Sequence, residues 1–334
     1  MSDHYTKVLN SEAALRRELA GHEFMRHYFS QVPNILAIRT NGRFPELDVA
    51  RVDGKGSAIV TDALRRGDAV DVRELFKELA RVANTFGSER AAQGGTRQFY
   101  LQRRPKLASP VLQSCYRTYL ADNSGQRVGT RQVMLRARLM EEIRARINTF
   151  AFGYCIPTQG DVHERNMATN NFLLDFEGGG WNLLAGDIAT FIWHTLFAGS
   201  YFGPKYAKWS GPIDKVALAA DRPQLIADGR SVRLQLHDNR AQFLHDYLTT
   251  YFHALTVVPE DMDICAAIAF RMLTVFPPHH MELGDQTITF TLANFFMDPK
   301  LSLETKLKTL DRSLHDVALT PRRLRPARDH QLVV

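Results

Sequence analysis

The sequence lacks long apolar runs and paired cysteines. No uninterrupted apolar stretch in its 334 residues approaches the roughly 20 residues that a membrane-spanning helix needs. The three cysteines, Cys115, Cys155 and Cys265, are widely spaced and form no CxxC pair, which argues against a disulfide framework and against a zinc site. The polar N-terminus has no apolar core of the kind that signal peptides carry. We therefore expect a cytoplasmic protein with reduced thiols and no membrane partner.

A strong excess of one charge is also missing. Lysine and arginine number 42 against 36 aspartate and glutamate residues, which gives a net charge of +6. Basic residues are concentrated only near the end of the chain, at Arg322, Arg323, Arg325 and Arg328, where a solvated terminus is the simplest interpretation. They are not interleaved with aromatic residues, and no nucleic-acid recognition motif occurs. A basic nucleic-acid-binding protein is therefore only the second alternative, and nucleic acid is not an expected partner.

Several catalytic signatures do not occur. The sequence contains no GxSxG, no GxxxxGK[ST] and no HExxH, so nucleophile-elbow hydrolases, Walker-type ATPases and zinc proteases have no support. His279 and His280, with Glu282 nearby, could suggest a metal site. Adjacent histidines point in divergent directions, so an ordinary pair in a loop or at a helix end is the prediction.

The first sixty residues predict a helix packed on a small antiparallel sheet. Apolar side chains recur at spacings of three and four between Asn10 and Phe29, as on one face of a helix. Glu18 falls within this face, where a carboxylate must either reach water or meet a cation. Three extended runs follow, Asn34–Thr40, Leu47–Val52 and Ser57–Thr61. Asn41-Gly42 and Asp53-Gly54 lie between them and favour tight hairpin turns.

The rest of the chain is mainly helical in pattern. A helix should begin near Asp71, with Glu74 as a capping-box-like residue. Further helices are predicted over Arg131–Phe150, Arg240–Leu255 and Met262–Val275, and loops over Glu89–Gly95 and Gly199–Pro212. The predicted fold class is α+β with two lobes. A small mixed lobe spans residues 1–62, and a larger, mainly helical lobe spans residues 63–334.

The stretch GDVHERNMATNNFLLDFE, residues 160–177, carries the strongest chemical signal. Asp161 stands five residues before Asn166, and Asp175 ends an apolar run that predicts a short strand. Phosphoryl transfer needs a carboxylate that accepts or orients the proton of the attacking hydroxyl. It also needs oxygen ligands that hold Mg²⁺ against the phosphates. The pattern therefore favours Asp161 for the first task and Asn166 and Asp175 for the second.

Two segments resemble the aminoglycoside and choline phosphotransferase family, which has a protein-kinase-like fold. QGDVHERN, residues 159–166, resembles the family's H-G-D-x-x-x-x-N loop, and LDFE, residues 174–177, resembles its I-D-F/W-E strand. GDIA, beginning at Gly186, is similar to a family element whose aspartate is usually structural. The resemblance implies that Asp161 is the catalytic base and that Asn166 and Asp175 bind metal. Gln159 departs from the usual histidine at a position that mainly supports the loop.

The N-terminus extends this resemblance, which covers about residues 7–189. In the family, a strand lysine binds the α- and β-phosphates and pairs with a glutamate on the next helix. Lys7, followed by Glu18 after Arg16 and Arg17, looks like that pair and implies nucleotide binding. Lys7 would also be the cation that a buried Glu18 needs. Only six residues precede Lys7, so the glycine-rich hairpin that usually covers the phosphates has no room. Either the true start lies upstream or this hairpin is lost.

The resemblance implies a phosphotransferase that uses ATP or GTP with Mg²⁺ and phosphorylates a hydroxyl of a small molecule. Aminoglycosides, sugars, amino alcohols and other natural products all remain possible acceptors. Beyond Trp181, acidic and basic residues are close to balance, which gives no support for a highly cationic acceptor. The first alternative is a catalytically weak kinase-like module with a binding or regulatory role. Trp193 and His194 are expected to pack in the core, and Tyr201, Phe202 and Tyr206 are expected to be structural, with a place in the substrate cleft as the alternative.

Overall fold

The computed structural model describes residues 4–40, 42–50, 58–122, 125–149, 152–207, 222–225, 230–311 and 314. These residues form a mixed α+β structure, as predicted, with a small sheet near the N-terminus and a mainly helical remainder. No helix in this part of the chain combines the length and the apolar character needed to cross a bilayer. The arrangement of the two parts decides where the predicted site residues meet.

The N-terminal part consists of one helix on a three-stranded antiparallel sheet. Its elements are β1 (His4–Val8), α1 (Glu12–Tyr28), β2 (Ile35–Arg39) and β3 (Glu46–Ala50), and the strand order is β1-β3-β2. The Ser11 hydroxyl caps α1 by accepting a hydrogen bond from the Ala14 N–H at 3.2 Å. Between helix and sheet lies a small apolar cluster of Leu9, Ala14, Leu15, Leu47 and Val49. The predicted helix and the first two extended runs are thus confirmed.

The remaining described elements surround one large apolar core. In chain order they are α2 (Val60–Arg66), α3 (Arg73–Phe86), β4 (Ser88–Ala91), α4 (Gly95–Arg103), α5 (Pro110–Asp122), β5 (Arg127–Val128), β6 (Arg131–Gln132), α6 (Leu139–Thr149), β7 (Phe152–Thr158), β8 (Gly180–Leu183), α7 (Leu184–Trp193), α8 (Gly203–Tyr206), β9 (Arg222–Leu225), β10 (Ser231–Gln235), α9 (Asp238–Thr250), α10 (Asp261–Thr274), α11 (Leu283–Phe296) and α12 (Leu303–Leu310). A π-helix over His194–Phe202 continues α7. Short 3₁₀ helices lie at Arg104–Ala108, Glu164–Asn166, Phe252–Ala254 and Pro278–His280.

Two further small sheets connect these helices. One has the order β4-β7-β8 and is antiparallel. The other has the order β6-β5-β10-β9, in which only β5 and β10 run parallel. Helix α7 follows β8 directly and packs on α10 in the centre of the large core. The end of β7, the end of α7 and the end of α10 therefore meet at one place, which is the site described below.

Several predicted boundaries are wrong. The predicted strand Ser57–Thr61 is a single bridge from Ile59 to Ala168, and α2 begins at the next residue. Residue 57 lies outside the described residues, as do Asn41 and the Asp53-Gly54 turn. The predicted loop Glu89–Gly95 contains the end of edge strand β4 and the first residue of α4, and only residues 92–94 between them are irregular. An edge strand can expose charged side chains such as Glu89 and Arg90, and this polarity concealed it.

Two helices begin later than predicted, and one predicted loop is helical. The helix expected over Arg131–Phe150 starts at Leu139, after strand β6. The helix expected near Asp71 starts at Arg73, whose N–H is bound by the Asp71 carboxylate at 3.2 Å. Glu74 pairs with Lys77 at 2.6 Å and forms no capping box. The described part of Gly199–Pro212 is helical to residue 206, because burial against the core overrides its weak local propensity.

Candidate active site

A cavity of about 1100 Å³ lies where the ends of β7, α7 and α10 meet. Three of the predicted site residues line it, namely Asp161, Asn166 and Asp175. Asp161 and Asn166 belong to the loop after β7, and Asp175 lies in the segment that leads to β8. The apolar run before Asp175 is not a strand but a single bridge between Leu173 and Met167. The cavity exceeds the usual range for one drug-sized ligand, so it has room for a nucleotide and a small second molecule.

Lys7 joins the N-terminal sheet to this cavity. Its ammonium lies 2.8 Å from Glu18 Oε2 and 3.0 Å from Asp175 Oδ1. Burial acts to lower the pKa of Lys7, but the two carboxylates outweigh it and raise the pKa. Glu18 is 2% exposed, and burial raises its pKa, against which Lys7 acts only in part. The apolar-face glutamate is therefore buried and paired with Lys7, which stands beside the predicted metal ligand.

The backbone around Asp175 is held in an uncommon conformation. Its φ of +61° lies in the left-handed region, which non-glycine residues rarely adopt. The next N–H, that of Phe176, donates to Glu18 Oε1 at 3.1 Å. Gln159 Nε2 donates to the backbone oxygens of Leu174, at 3.1 Å, and of Asp175. Gln159 Oε1 accepts the Asp161 N–H at 3.1 Å, so this side chain ties the loop of Asp161 to the segment of Asp175.

Asp161 presents a half-exposed carboxylate to the cavity, with 51% of its side chain accessible. His163 Nδ1 accepts the Arg165 N–H at 3.2 Å, so its Nε2 carries the hydrogen that points at Asp161 Oδ2, also at 3.2 Å. Arg271 Nη1 lies 3.8 Å from the other carboxylate oxygen. Burial would raise the pKa of Asp161, but His163 and Arg271 outweigh it and hold the pKa below its usual range. The carboxylate is ionised at neutral pH and accessible to a substrate hydroxyl.

A buried polar network of His194, Glu164 and Arg240 packs against His163. The His163 and His194 rings stack with centroids 3.8 Å apart and planes 7° apart. His194 Nδ1 lies 2.9 Å from Glu164 Oε2, and Arg240 Nη1 lies 2.8 Å from Glu164 Oε1. Burial lowers the pKa of His194 to about 4, although Glu164 acts in the opposite direction. Burial would raise the pKa of Glu164, but His194 and Arg240 hold it well below its usual range. The network fixes the ring that contacts Asp161.

Asn166 and Asp175 have the donor atoms that Mg²⁺ prefers. Asn166 Nδ2 donates to the Asp161 carbonyl at 2.9 Å, so its Oδ1 remains as the atom that could bind a cation. Within the described ranges, no three His, Cys, Asp or Glu side chains cluster as a complete metal centre. Mg²⁺ in nucleotide sites is typically held by one or two protein oxygens together with phosphate oxygens and water. Two oxygen donors on one cavity wall fit that mode of binding.

Asp187 lies beneath the site on α7 and is 3% exposed. Thr158 donates a hydrogen bond to its Oδ2, and its Oδ1 is buried without a hydrogen-bond partner among the described residues. Burial raises the pKa of Asp187 to about 7, although Thr158 and Arg271 oppose the shift. Its carboxyl group is thus poised between its protonated and ionised forms near neutral pH.

The Asp187→Asn substitution should flatten the pH dependence of stability between about pH 4 and pH 7. A raised pKa means that the folded state binds the proton more tightly than the unfolded state, so the wild type loses stability as pH rises through this window. A shift of about three units corresponds to roughly 4 kcal/mol over the window. Urea unfolding at pH 5, 6, 7 and 8 measures this. A parallel pH profile in the variant would contradict the raised pKa of Asp187.

Gly178 and Gly179, which follow Asp175, and Gly21 on α1 lie where backbone segments approach closely. Gly178 O accepts hydrogen bonds from the Gly95 N–H and from Asn182 Nδ2, each at 3.0 Å. A methyl group on Gly179 would lie 2.7 Å from the carbonyl oxygen of Gly21 on α1. A methyl group on Gly21 would overlap the Phe176 carbonyl oxygen. These glycines therefore allow α1 to approach the Asp175 segment at backbone distance.

Aromatic residues form the side of the cavity away from Lys7. Trp193 and Phe276 both line it and stack with their ring centroids 6.1 Å apart. Tyr206 also lines the cavity, whereas Tyr201 Oη donates to Asp285 at 3.0 Å. His279 and His280 form part of a 3₁₀ helix, as expected of a helix-end pair.

Sequence reasoning assigned no role to five residues of this site: His163, Glu164, His194, Arg240 and Arg271. His194 was expected to be a core residue, and it is indeed buried, but it binds Glu164 and stacks on His163. A usable signal existed in the sequence. Arg271 is the only charged residue between Ile264 and Val275, and a charge in an otherwise buried helix requires a partner.

No family model and no curated protein matches this sequence. Among solved structures, a glucosamine kinase in complex with glucosamine, ADP and inorganic phosphate is similar, with 14% identity and a TM-score of 0.42 over 90% of this chain and 78% of that chain. A second crystal form of glucosamine kinase gives 14% identity and a TM-score of 0.41 over 88% of this chain and 73% of that chain. Likenesses at this level are distant, and no conclusion about chemistry follows from them.

Proposed function

We propose that this protein is a small-molecule kinase of the two-lobed, protein-kinase-like kind that transfers the γ-phosphate of ATP or GTP to a hydroxyl group. One observation supports this proposal above the others. Lys7, paired with Glu18, comes from the first strand and meets Asp175, which shares a cavity with Asp161 and Asn166. A cation, a hydroxyl-binding carboxylate and two metal-type oxygen ligands on one cavity are the parts that phosphoryl transfer requires.

Each of these residues has one task in the proposed reaction. Lys7 binds the phosphates of the nucleotide and leaves its ion pair with Asp175 when they arrive. Asn166 and Asp175 would hold Mg²⁺, which would supply charge neutralisation for the nucleotide phosphates. Asp161 accepts a hydrogen bond from the acceptor hydroxyl and aims its oxygen at the γ-phosphorus. Because the pKa of Asp161 is low, it is a weak base and takes the proton late, as suits a loose transition state.

The test of this proposal is a thermal-shift titration with ATP and GTP, with and without Mg²⁺. A ligand that binds only the folded state stabilises it and raises the melting temperature. At a free ligand concentration of 100 times Kd, this stabilisation is about 2.7 kcal/mol. We expect a rise that depends on Mg²⁺ with at least one nucleotide. No rise with either nucleotide on a folded sample would reject the kinase proposal. Nucleotide binding without ATP turnover across a panel of hydroxylated acceptors would favour the first alternative, a catalytically weak kinase-like module with a binding or regulatory role.

The Lys7→Met substitution should remove most of the MgATP shift. Methionine retains the length of the side chain but has no charge for the phosphates, so we expect a loss of at least about tenfold in affinity, the equivalent of one charge-assisted contact. Thermal shift and direct titration calorimetry with MgATP measure this loss.

Lys77→Met is the matched control for this substitution. Lys77 is an exposed lysine on α3 that pairs with Glu74 and lies on a different element from the cavity residues. It should bind MgATP like the wild type. If both variants bind MgATP equally well, Lys7 does not contact the nucleotide and this part of the proposal is wrong.

A further inference from the structure

The wall of the cavity formed by α4 and α10 is basic. Arg103 ends α4, Arg271 lies near the end of α10, and both line the cavity. Lys106 follows Arg103 within the 3₁₀ helix that comes next, and His280 lines the cavity from the segment after α10. Arg103, Arg271 and His280 line the cavity directly, whereas the Lys106 ammonium donates to the Thr274 carbonyl at 3.0 Å. They concentrate positive charge away from Lys7.

The Asp161 carboxylate offsets this charge only in part. Arg103 forms no ion pair within the ranges that the structure describes, and its Nε is buried without a hydrogen-bond acceptor. Its guanidinium lies over the Phe99 ring at 4.3 Å. Arg271 is 3% exposed, its Nε is also buried without an acceptor, and its approach to Asp161, at 3.8 Å, is too long for a hydrogen bond. Buried guanidinium donors without acceptors carry a substantial desolvation cost.

The basic groups also lower one another's pKa values. Burial lowers the pKa of Arg103, and the like charge of Arg271 lowers it further. Burial followed by the charge of Arg103 lowers the pKa of Lys106. Burial, then His280 and Lys106, lowers the pKa of His279. Like charges held together in a partly buried wall are unfavourable unless an anion joins them.

The carboxylates that face the cavity have other partners. Asp175 is bound to Lys7 at 3.0 Å and is proposed to hold the metal. Asp161 receives the Nε2–H of His163 at 3.2 Å and is proposed to bind the acceptor hydroxyl. Neither carboxylate lies within 4.0 Å of Arg103 in the described structure. Within the described residues Arg103 therefore has no carboxylate partner, and an anion that pairs with it would come from a ligand.

We propose that the hydroxylated acceptor carries an oxyanion, a carboxylate or a phosphate group, which Arg103 and Arg271 bind. This inference rests on the proposed kinase function and names its substrate class. The guanidinium groups present planar donor pairs that match a carboxylate or phosphate. Arg271 lies beside Asp161, so an acceptor anchored there places a neighbouring hydroxyl at Asp161. The apolar surface of Trp193 and Phe276 accommodates the carbon skeleton between the two.

The test uses inorganic phosphate as the probe on protein that is saturated with Mg²⁺ and a non-hydrolysable ATP analogue. The analogue occupies the γ-phosphate position, so any saturable phosphate binding then reports a second anion site. Titration calorimetry at constant ionic strength measures it for the wild type, for Arg103→Gln and for Arg97→Gln. Arg97 is an exposed arginine on the same helix and does not line the cavity. Its substitution therefore removes the same charge at a position outside the proposed site.

We expect the wild type and Arg97→Gln to bind phosphate alike, and Arg103→Gln to bind it at least about tenfold more weakly, as for the loss of one charge-assisted hydrogen bond. No phosphate binding to the analogue-loaded wild type, or equal binding by all three proteins, would overturn the inference. Phosphate binding that the analogue abolishes would also overturn it, because the arginines would then serve the γ-phosphate. Failure of the analogue itself to bind would reject the proposed function, which is a separate result.

Competition against the bound phosphate distinguishes the two oxyanions. D-Glucuronate, glucose 6-phosphate, glucose and glucosamine share one hydroxylated ring and differ in charge. Displacement by the first compound indicates a carboxylate acceptor, and displacement by the second indicates a phosphorylated one. Glucose and glucosamine should displace phosphate least. If glucosamine displaces it as well as the anions do, the acceptor site does not select negative charge and the proposal is wrong.

Discussion

Replacing Asp161 with asparagine should lower ATP turnover by about 10²–10⁴-fold while MgATP binding is retained. Asparagine keeps the shape of the side chain but cannot accept the hydroxyl proton, and its amide nitrogen would point a donor at the attacking oxygen or at His163. The loss should therefore appear in kcat and not in the affinity for nucleotide. The turnover rate is measured as ADP release, both without an acceptor, when water is the nucleophile, and with any acceptor that stimulates release. Thermal shift measures MgATP binding.

Asp122→Asn is the control for this experiment, since Asp122 is an exposed carboxylate at the end of α5. It should turn over ATP like the wild type. A fully active Asp161→Asn variant would remove Asp161 from the mechanism. Loss of turnover together with loss of MgATP binding would show that Asp161 organises the loop rather than the reaction.

The Arg240→Met substitution should destabilise the protein by about 3–5 kcal/mol. Glu164 is 0% exposed and is bound on its two oxygens by His194 and Arg240. Because His194 has a pKa of about 4, it is uncharged at neutral pH, and Arg240 supplies the positive charge that Glu164 needs. Removal of Arg240 leaves a buried carboxylate without a counterion. Urea unfolding at pH 7 measures the loss.

Two further variants make this prediction specific. Arg73→Gln breaks an exposed ion pair with Asp71, and because solvent screens such pairs it should unfold at nearly the same urea concentration as the wild type. Glu164→Leu combined with Arg240→Met removes both buried charges and should recover much of the lost stability. If Arg240→Met is no worse than Arg73→Gln, the buried network does not have the energetic role assigned to it.

The pH dependence of this network has a defined sign. The pKa of Glu164 is lower in the folded than in the unfolded protein. Its contribution to stability is therefore complete above the usual glutamate range, near pH 4.3 for an unperturbed side chain, and is lost as pH falls towards the folded-state pKa. Asp187 acts in the opposite direction, since its raised pKa removes stability as pH rises towards 7. The two carboxyl groups together favour a stability maximum in the mildly acidic range.

The sequence allowed the local parts of the site to be predicted because they are contiguous. Asp161, Asn166 and Asp175 lie within fifteen residues of one another, and the apolar run before Asp175 with the motifs around them indicated that they act together. The pairing of Lys7 with Glu18 was also accessible, since a carboxylate on an apolar helix face requires a cation. Whether these residues act on a nucleotide stays a prediction that the experiments above test.

The remaining parts of the site depend on packing that no local pattern records. Arg240 reaches Glu164 across 76 positions of sequence, and Arg271 reaches Asp161 only because α10 packs on α7. Strand β4 is polar because it is an edge strand. The π-helix over His194–Phe202 forms despite weak local propensity because the core around it determines its conformation. Periodicity reports which face of an element is buried, but not what it is buried against.

The contact between Gly21 and Gly179 limits how the site can be regulated. Sliding of α1 along its own axis would bring a side chain such as Arg17 or Met25 to the place of Gly21, where even a methyl group overlaps the Phe176 carbonyl. Glu18 lies one turn from this contact and holds Lys7. An axial shift of α1, one form of the helix displacement that some kinases use as an on–off element, is therefore blocked here by backbone contact. Control of the proposed kinase would have to leave α1 at this axial position and act elsewhere, for example on entry to the cavity.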